Sequence, residues 1–210
     1  DFSSLQEEEL EPVRDYVMEL SRKMALTLSR RVKQGQKKGM LDFRRTIRHS
    51  IKHGGEILDL RWKRPKPKPL RIVFLCDVSG SMDAYGQFIL FFMYAIQNFY
   101  PYCETFAFGT RLTRVTDIFK KEKTFENVLQ FLSRELLDWS GGTNIGGALH
   151  QLRRRYPSLM HSNRTIFLLF SDGWEQGDAA LLKTEMKSLK QRTKRLIWLN
   201  PHLKRPGYEP

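Results

Sequence analysis

Ile72-Val73-Phe74-Leu75-Cys76-Asp77-Val78-Ser79-Gly80-Ser81 decides the fold. Its first five residues form a short, wholly apolar run, the pattern of a strand buried on both faces at the centre of a parallel sheet. An acid and two alternating serines follow at once. In doubly wound sheets, functional groups collect at the carboxyl ends of the strands. Working outward, Thr105-Phe106-Ala107-Phe108 and Leu112 to Thr116 predict two strands around a turn at Gly109-Thr110, and Thr165 to Phe170 and Leu196 to Leu199 predict two more. Helices are predicted over about 86–100, 124–137, 145–155 and 179–192. The first of them is apolar nearly all round and should be deeply buried. The second shows Phe125, Val128, Leu129, Leu132 and Leu136 on one face. Strands alternating with helices at this spacing indicate an α/β fold, a Rossmann-like doubly wound, mostly parallel sheet with helices on both faces.

Upstream the chain reads differently. Acidic residues crowd the first turns of a helix predicted near 6–32, which suits the helix dipole. Val13, Val17, Leu20, Met24 and Leu28 recur along it at helical spacing. A second helix is predicted at about 42–53, with His53-Gly54-Gly55 as its C-cap. Lys63-Arg64-Pro65-Lys66-Pro67-Lys68-Pro69 alternates proline with cations and reads as an extended connector, since proline blocks helix and central strand alike. The expected organisation is a helical basic extension over 1–62, a Pro/Lys connector over 63–69 and the α/β domain over 70–210. The chain stops soon after a strand, an end that fits a truncated domain.

Charge is unevenly placed. Residues 1–29 hold three basic and seven acidic side chains, residues 30–71 fifteen and three, and residues 72–210 eighteen and thirteen. Nearly all of the net +13 therefore sits in one block, which suits an anionic partner: an acidic protein, a nucleic acid or an anionic membrane surface. Forty per cent hydrophobic residues suffice for a sizeable core. The two cysteines, Cys76 and Cys103, lie inside apolar runs and read as buried thiols, so a reducing, cytoplasmic location is expected. The longest apolar stretch, Phe88 to Ile96, is too short to span a bilayer.

Three polar segments fall at the same edge of the predicted sheet: Asp77-Val-Ser79-Gly-Ser81, Ser140-Gly-Gly-Thr143-Asn144 and Ser171-Asp172-Gly173. They offer two carboxylates and three hydroxyls, all oxygen donors of the kind hard cations prefer. Residues 77, 79 and 81 alternate and can point the same way in an extended or tightly turned stretch. Asp77, Ser79, Ser81, Thr143 and Asp172 are therefore the candidate ligands of Mg²⁺, or of Mn²⁺, which fits the same oxygens. Asp83 and Asn144 lie beside them and are placed to orient those ligands.

The ordered set Asp77-x-Ser79-x-Ser81, Thr143 and Asp172 resembles the metal-ion-dependent adhesion site of von Willebrand factor A (VWA) domains. Gly39-Met-Leu-Asp42-Phe-Arg44-Arg45-Thr46-Ile-Arg48, Gly54-Gly55, Asp138-Trp139-Ser140-Gly141-Gly142-Thr143, Ser171-Asp172-Gly173-Trp174 and Trp198-Leu199-Asn200-Pro201 are together similar to the CoxE-like group of these proteins. The resemblance implies a VWA fold and a metal whose coordination is completed by an Asp or Glu of a protein partner. It further implies an adaptor working with a MoxR-type AAA+ ATPase in the maturation or remodelling of a client protein or metalloenzyme. Arg44, Arg45, Arg48, Lys63 and Arg64 are candidate partner contacts.

Catalysis is not expected. Asp77 is placed like a phosphotransferase nucleophile, but Ser79 stands where that chemistry needs a second aspartate. Asp-Val-Ser-Gly-Ser is not a G-x-S-x-G elbow. Gly141-Gly142-Thr143-Asn144-Ile145-Gly146-Gly147 lacks the Gly-Lys-Ser/Thr end of a phosphate loop. The alternative reading is an RNA-binding protein using the basic segment, although that block lacks interleaved aromatics for base stacking and has mainly Phe43 and Trp62.

Overall fold

The computed structural model describes residues 7–34, 40–51, 59–63, 69–79, 83–135, 142–160 and 162–201. The chain divides into two compact units, one of residues 1–25 with 70–210 and one of residues 26–69.

In the larger unit, strands β3 (Arg71–Asp77), β4 (Cys103–Phe108), β5 (Leu112–Arg114), β6 (Ser162–Phe170) and β7 (Thr193–Leu199) form one sheet in the order β5-β4-β3-β6-β7. β3 pairs in parallel with β4 on one side and β6 on the other, and β7 continues in parallel beyond β6. Only β5 runs antiparallel, folding back on β4. The chain winds outward from β3 in both directions, so the strand order reverses at its carboxyl end. That switch point opens the crevice where doubly wound sheets place their ligands.

The expected burial of β3 holds: Ile72 to Asp77 are all buried. Helices α3 (Asp83–Phe99), α4 (Thr116–Lys121), α5 (Phe125–Glu135), α6 (Ile145–Arg155), α7 (Pro157–Met160) and α8 (Ala179–Arg192) complete the unit. α3 buries Ile89, Leu90, Met93, Ala95 and Ile96, and α5 buries Phe125, Val128 and Leu132. Val73, Leu75, Phe106, Phe108, Leu149, Leu152, Phe167 and Leu169 form the centre of a continuous core that also takes in Leu189 of α8. Cys76 and Cys103 are buried free thiols, and burial raises the pKa of each well above that of an exposed thiol.

A buried ion-pair cluster and a close glycine contact join α6 to α8. Glu185 of α8, 1% exposed, accepts hydrogen bonds from both Nε and a terminal nitrogen of Arg153 and meets His150 Nδ1 at 2.8 Å. The triad fastens α8 to α6. Nearby, Gly146 lets those helices approach: a Cβ added there would lie 2.9 Å from the Leu182 backbone nitrogen.

α1 (Glu7–Gln34) begins in this unit. Arg14 contacts Glu126 of α5 at 3.4 Å and lies over the Phe91 ring of α3. Among the described side chains of α1, Val17, Ser21, Ala25 and Leu28 are buried. Leu20, expected on the apolar stripe, is 39% exposed. Val17 and Leu28 of the expected stripe are buried, whereas at Leu20 and Met24 the buried positions are the neighbouring Ser21 and Ala25.

The smaller unit contains α2 (Phe43–Ile51) and a two-stranded antiparallel ribbon, β1 (Met40–Leu41) with β2 (Trp62–Lys63). Asp42 Oδ1 accepts from the Arg45 backbone nitrogen at 3.1 Å at the start of α2. Thr46 Oγ1 accepts from the Arg61 backbone nitrogen at 3.0 Å. Among the described residues no helix is long and apolar enough to cross a membrane. The expected C-cap at 53–55 and the Pro/Lys connector at 64–68 lie outside the described residues.

Candidate metal centre

Asp77 is the last residue of β3, at the switch point, and is fully buried. Its Oδ1 accepts from the Ser79 backbone nitrogen at 3.0 Å, which bends the chain back over the strand end. Its Oδ2 accepts from the Ser171 hydroxyl at 2.8 Å. The Val78 backbone nitrogen donates to the Phe108 carbonyl at 2.9 Å, so the turn stays anchored on β4 after the strand has ended.

Asp172 follows β6 and is also fully buried. Its Oδ1 accepts from the Trp174 backbone nitrogen at 3.1 Å. Its Oδ2 is buried with no hydrogen-bond partner among the described residues. Gly173 has φ 88°, in the left-handed region that favours glycine. Its nitrogen donates to Ser171 Oγ at 3.1 Å. Two residues from β7 and its end secure the segment from behind. Trp198 Nε1 donates to the Ser171 carbonyl at 3.0 Å, and Asn200 Nδ2 donates to the Asp172 carbonyl at 2.7 Å.

Thr143 is 2% exposed and directly precedes Asn144, the N-cap of α6. The Asn144 backbone nitrogen donates to the Gly109 carbonyl at 3.1 Å, and its side-chain oxygen accepts from the Gly147 nitrogen at 2.6 Å. The Thr143 carbonyl accepts from the Gln176 nitrogen at 2.9 Å, joining this segment to the one that carries Asp172.

Burial pushes the Asp77 carboxyl above the usual carboxylate range, hydrogen bonds from Ser79 and Ser171 oppose the rise, and the nearby charge of Asp172 adds to it. Two buried carboxylates, one raising the proton affinity of the other, are a site for positive charge. The orphaned Asp172 oxygen says the same, because a buried acceptor left without a partner costs about 1–3 kcal/mol, and more when charged. The donors are all oxygen, which fits Mg²⁺ or Mn²⁺ rather than a softer metal. Among the described residues no three His, Cys, Asp or Glu side chains cluster as metal ligands, so hydroxyls would have to complete the set.

Of the sequence-predicted ligands, Asp77, Ser79, Thr143 and Asp172 are brought to one sheet edge and buried. Ser81 lies outside the described residues, and Asp83 opens α3 without its side chain being described. Asn144 serves as a helix cap. Arg44, Arg45 and Arg48 are exposed together on α2, where Arg45 pairs with Asp42 at 3.7 Å. Lys63 lies in β2 opposite Met40, and Arg64 falls outside the described residues.

Sequence reasoning missed the structural parts of Ser171, Glu175 and Asn200. Ser171 and Asn200 stood inside quoted motifs, but their hydrogen bonds run between segments far apart in the chain. Trp198, read as packing at a strand end, also supplies an indole hydrogen bond.

A doubly wound sheet with this oxygen-rich switch point defines the VWA class of α/β domains. The chain belongs to the family of VWA domain containing CoxE-like proteins, whose profile matches residues 16–210. Among solved structures it is similar to a von Willebrand factor type A protein from Catenulispora acidiphila, at 18% identity and a TM-score of 0.37. That match covers 63% of this chain, which spans 35% of the other protein's length. No protein of curated function matches the chain.

Proposed function

We propose that this chain is a metal-dependent protein-binding adaptor and not an enzyme. Asp77, Ser79, Ser81, Thr143 and Asp172 would hold Mg²⁺ or Mn²⁺. The observation that carries this reading is the buried, unpartnered Oδ2 of Asp172 beside a second buried carboxylate. Bound there, the cation would supply a coordination position for an anionic oxygen, and an Asp or Glu of a partner protein offers one.

The chain's own residues do the positioning. Ser171 and the Ser79 backbone fix the Asp77 carboxylate through its two oxygens. Trp198 and Asn200 hold the backbone that presents Asp172. In the second unit, exposed Arg44 and Arg48 offer cations to an acidic surface, which would speed encounter more than specify it. Membership of the CoxE-like family supports an adaptor working with a MoxR-type AAA+ ATPase on a client protein or metalloenzyme.

The test is calorimetric titration of Mn²⁺ into the wild-type chain and Thr143→Ala, followed by binding of the neighbouring AAA+ ATPase, where one is encoded, in Mg²⁺ and in EDTA. Uptake by wild type alone, with ATPase binding lost in EDTA, is expected. Equal uptake by both proteins would refute the metal site, and equal ATPase binding in Mg²⁺ and EDTA would remove the metal from that contact.

A further inference from the structure

Helix α6 starts immediately behind Thr143, and its amino end carries the positive pole of the helix dipole. A dication held by Thr143 would sit against like charge. No acidic residue lies in the first turn of α6 to offset it. Asn144 satisfies the Gly147 nitrogen but brings no charge. The missing carboxylate comes from elsewhere in the chain. Glu175 Oε2 accepts from the Gly146 nitrogen at 3.0 Å, and Oε1 accepts from the Gly177 nitrogen at 2.6 Å.

The same short segment also ties two arms of the metal centre together. Glu175 is three residues after Asp172, and its own nitrogen donates to the Gly173 carbonyl at 2.9 Å. Gln176 donates from its backbone to the Thr143 carbonyl at 2.9 Å, and its side chain fills the space where a Cβ at Gly142 would stand. At Gly177 an added Cβ would lie 2.5 Å from Glu175 Oε1 and 2.7 Å from Asn144 Oδ1. The glycine therefore lets this segment lie against the α6 cap.

We propose that Glu175 is a positioning residue that sets the metal affinity of the site. Its charge neutralises the amino end of α6 beside Thr143, while its hydrogen bond to Gly146 holds the Asp172 segment against the Thr143 segment. This rests on the metal reading given above. The charge and the tether are separable, because Glu175→Gln keeps the size and one acceptor oxygen but removes the charge, whereas Glu175→Ala removes both.

Mn²⁺ alone serves as the probe, titrated into the full chain at about 50 mM and 1 M salt, with Thr143→Ala as the control for the site itself. At low salt Glu175→Gln should bind Mn²⁺ about three- to fivefold more weakly than wild type, the factor expected for a charge at a helix end. That ratio should fall toward one at high salt, where the screening length shrinks to about 3 Å. A purely structural role for the side chain would not produce a salt-dependent ratio. Glu175→Ala should lose about tenfold or more, with a deficit that salt does not remove. Glu175→Gln binding as wild type does at low salt, or weaker by the same factor at both salts, overturns the proposal. If wild type takes up no Mn²⁺, or Thr143→Ala takes it up equally, the metal reading itself fails and this inference with it.

Discussion

Asp172→Asn should change stability in opposite directions with and without metal. The substitution replaces one atom. The side-chain oxygen that accepts from the Trp174 nitrogen is kept, while the negative charge and the orphaned acceptor Oδ2 are removed. Without metal, wild type carries a buried carboxylate oxygen with no partner, close enough to Asp77 to raise that residue's proton affinity. The amide nitrogen put in that place is neutral, so the buried charge and its repulsion from Asp77 are removed, a relief worth about 1–3 kcal/mol. In a chain of this size each kcal/mol moves the melting temperature by about 2–4 °C. The variant should therefore melt several degrees higher than wild type in EDTA. With Mg²⁺ at about a hundred times its dissociation constant, wild type gains about 2.7 kcal/mol from binding, or about 5–10 °C, and the variant forgoes it. The order of the two proteins should then reverse or close. Thermal unfolding followed by near-ultraviolet circular dichroism in EDTA and in saturating Mg²⁺ reads both states. A variant destabilised equally in the two buffers would show that Asp172 serves packing alone, and the argument from its orphaned oxygen would fall.

Two further substitutions test the scaffold that presents the site. Glu185→Gln should destabilise the protein by about 3 kcal/mol in urea unfolding at neutral pH, the low end for breaking a buried pair because Arg153 and His150 are each more than a third exposed. Arg153 foremost, and then His150, hold the Glu185 carboxyl below its ordinary value, so its contribution is complete above the unfolded carboxylate range and lost as pH falls through the lower folded value. The gap between wild type and variant should accordingly narrow in acid, and a gap constant down to about pH 3 would contradict the ion-pair account. Gly146→Ala would bring a Cβ within 2.9 Å of the Leu182 backbone, so α6 and α8 must separate. A cost of about 1–3 kcal/mol is expected, and unchanged stability in the same assay would mean that the helices have room to spare.

The sheet was legible because buried parallel strands advertise themselves. Ile72 to Cys76 and Thr165 to Phe170 are apolar runs flanked by polar turns, and both pair as central strands. Four of the five candidate ligands come to one edge for a related reason: Asp77, Ser79 and Asp172 follow strands and Thr143 precedes a helix, so topology gathers them. Where periodicity gave no signal, the reading slipped. Leu112 to Thr116 looked like one strand, yet β5 ends at Arg114 and Thr116 opens α4. There its hydroxyl accepts from the Thr105 nitrogen at 2.8 Å and contacts Glu104 at 3.1 Å. A β-branched residue reads as strand by propensity, but this hydroxyl is used to end one. α7, with four residues, was too short to show a period at all. Ser171, Glu175 and Asn200 were hidden for a different cause. Hydrogen bonds between segments leave no mark on local pattern, and a serine or glutamate in a loop is most often ordinary turn chemistry.

If the candidate site holds the proposed cation, its placement predicts weak binding by the chain alone. α3, α6 and α8 all start near the carboxyl edge of the sheet, following or preceding the segments that carry the ligands. Each brings a positive helix end, and such ends favour anions. The chain answers with Asp77 and Asp172 at the strand ends, Glu175 on α6 and Asp178, which accepts from the Ala180 nitrogen at 2.8 Å, on α8. Of these four, Asp77 and Asp172 cap no helix among the described residues. Two carboxylates suffice to balance one dication, and Glu175 and Asp178 answer the ends of α6 and α8, so a further negative group would be drawn to the cation itself. An Asp or Glu arriving from a partner would meet the proposed cation at its open coordination position. The partner's carboxylate would then strengthen metal binding as the metal strengthens the partner's, since linkage between two ligands is reciprocal. On this electrostatic reading the proposed site would be incomplete alone and would be completed by its partner.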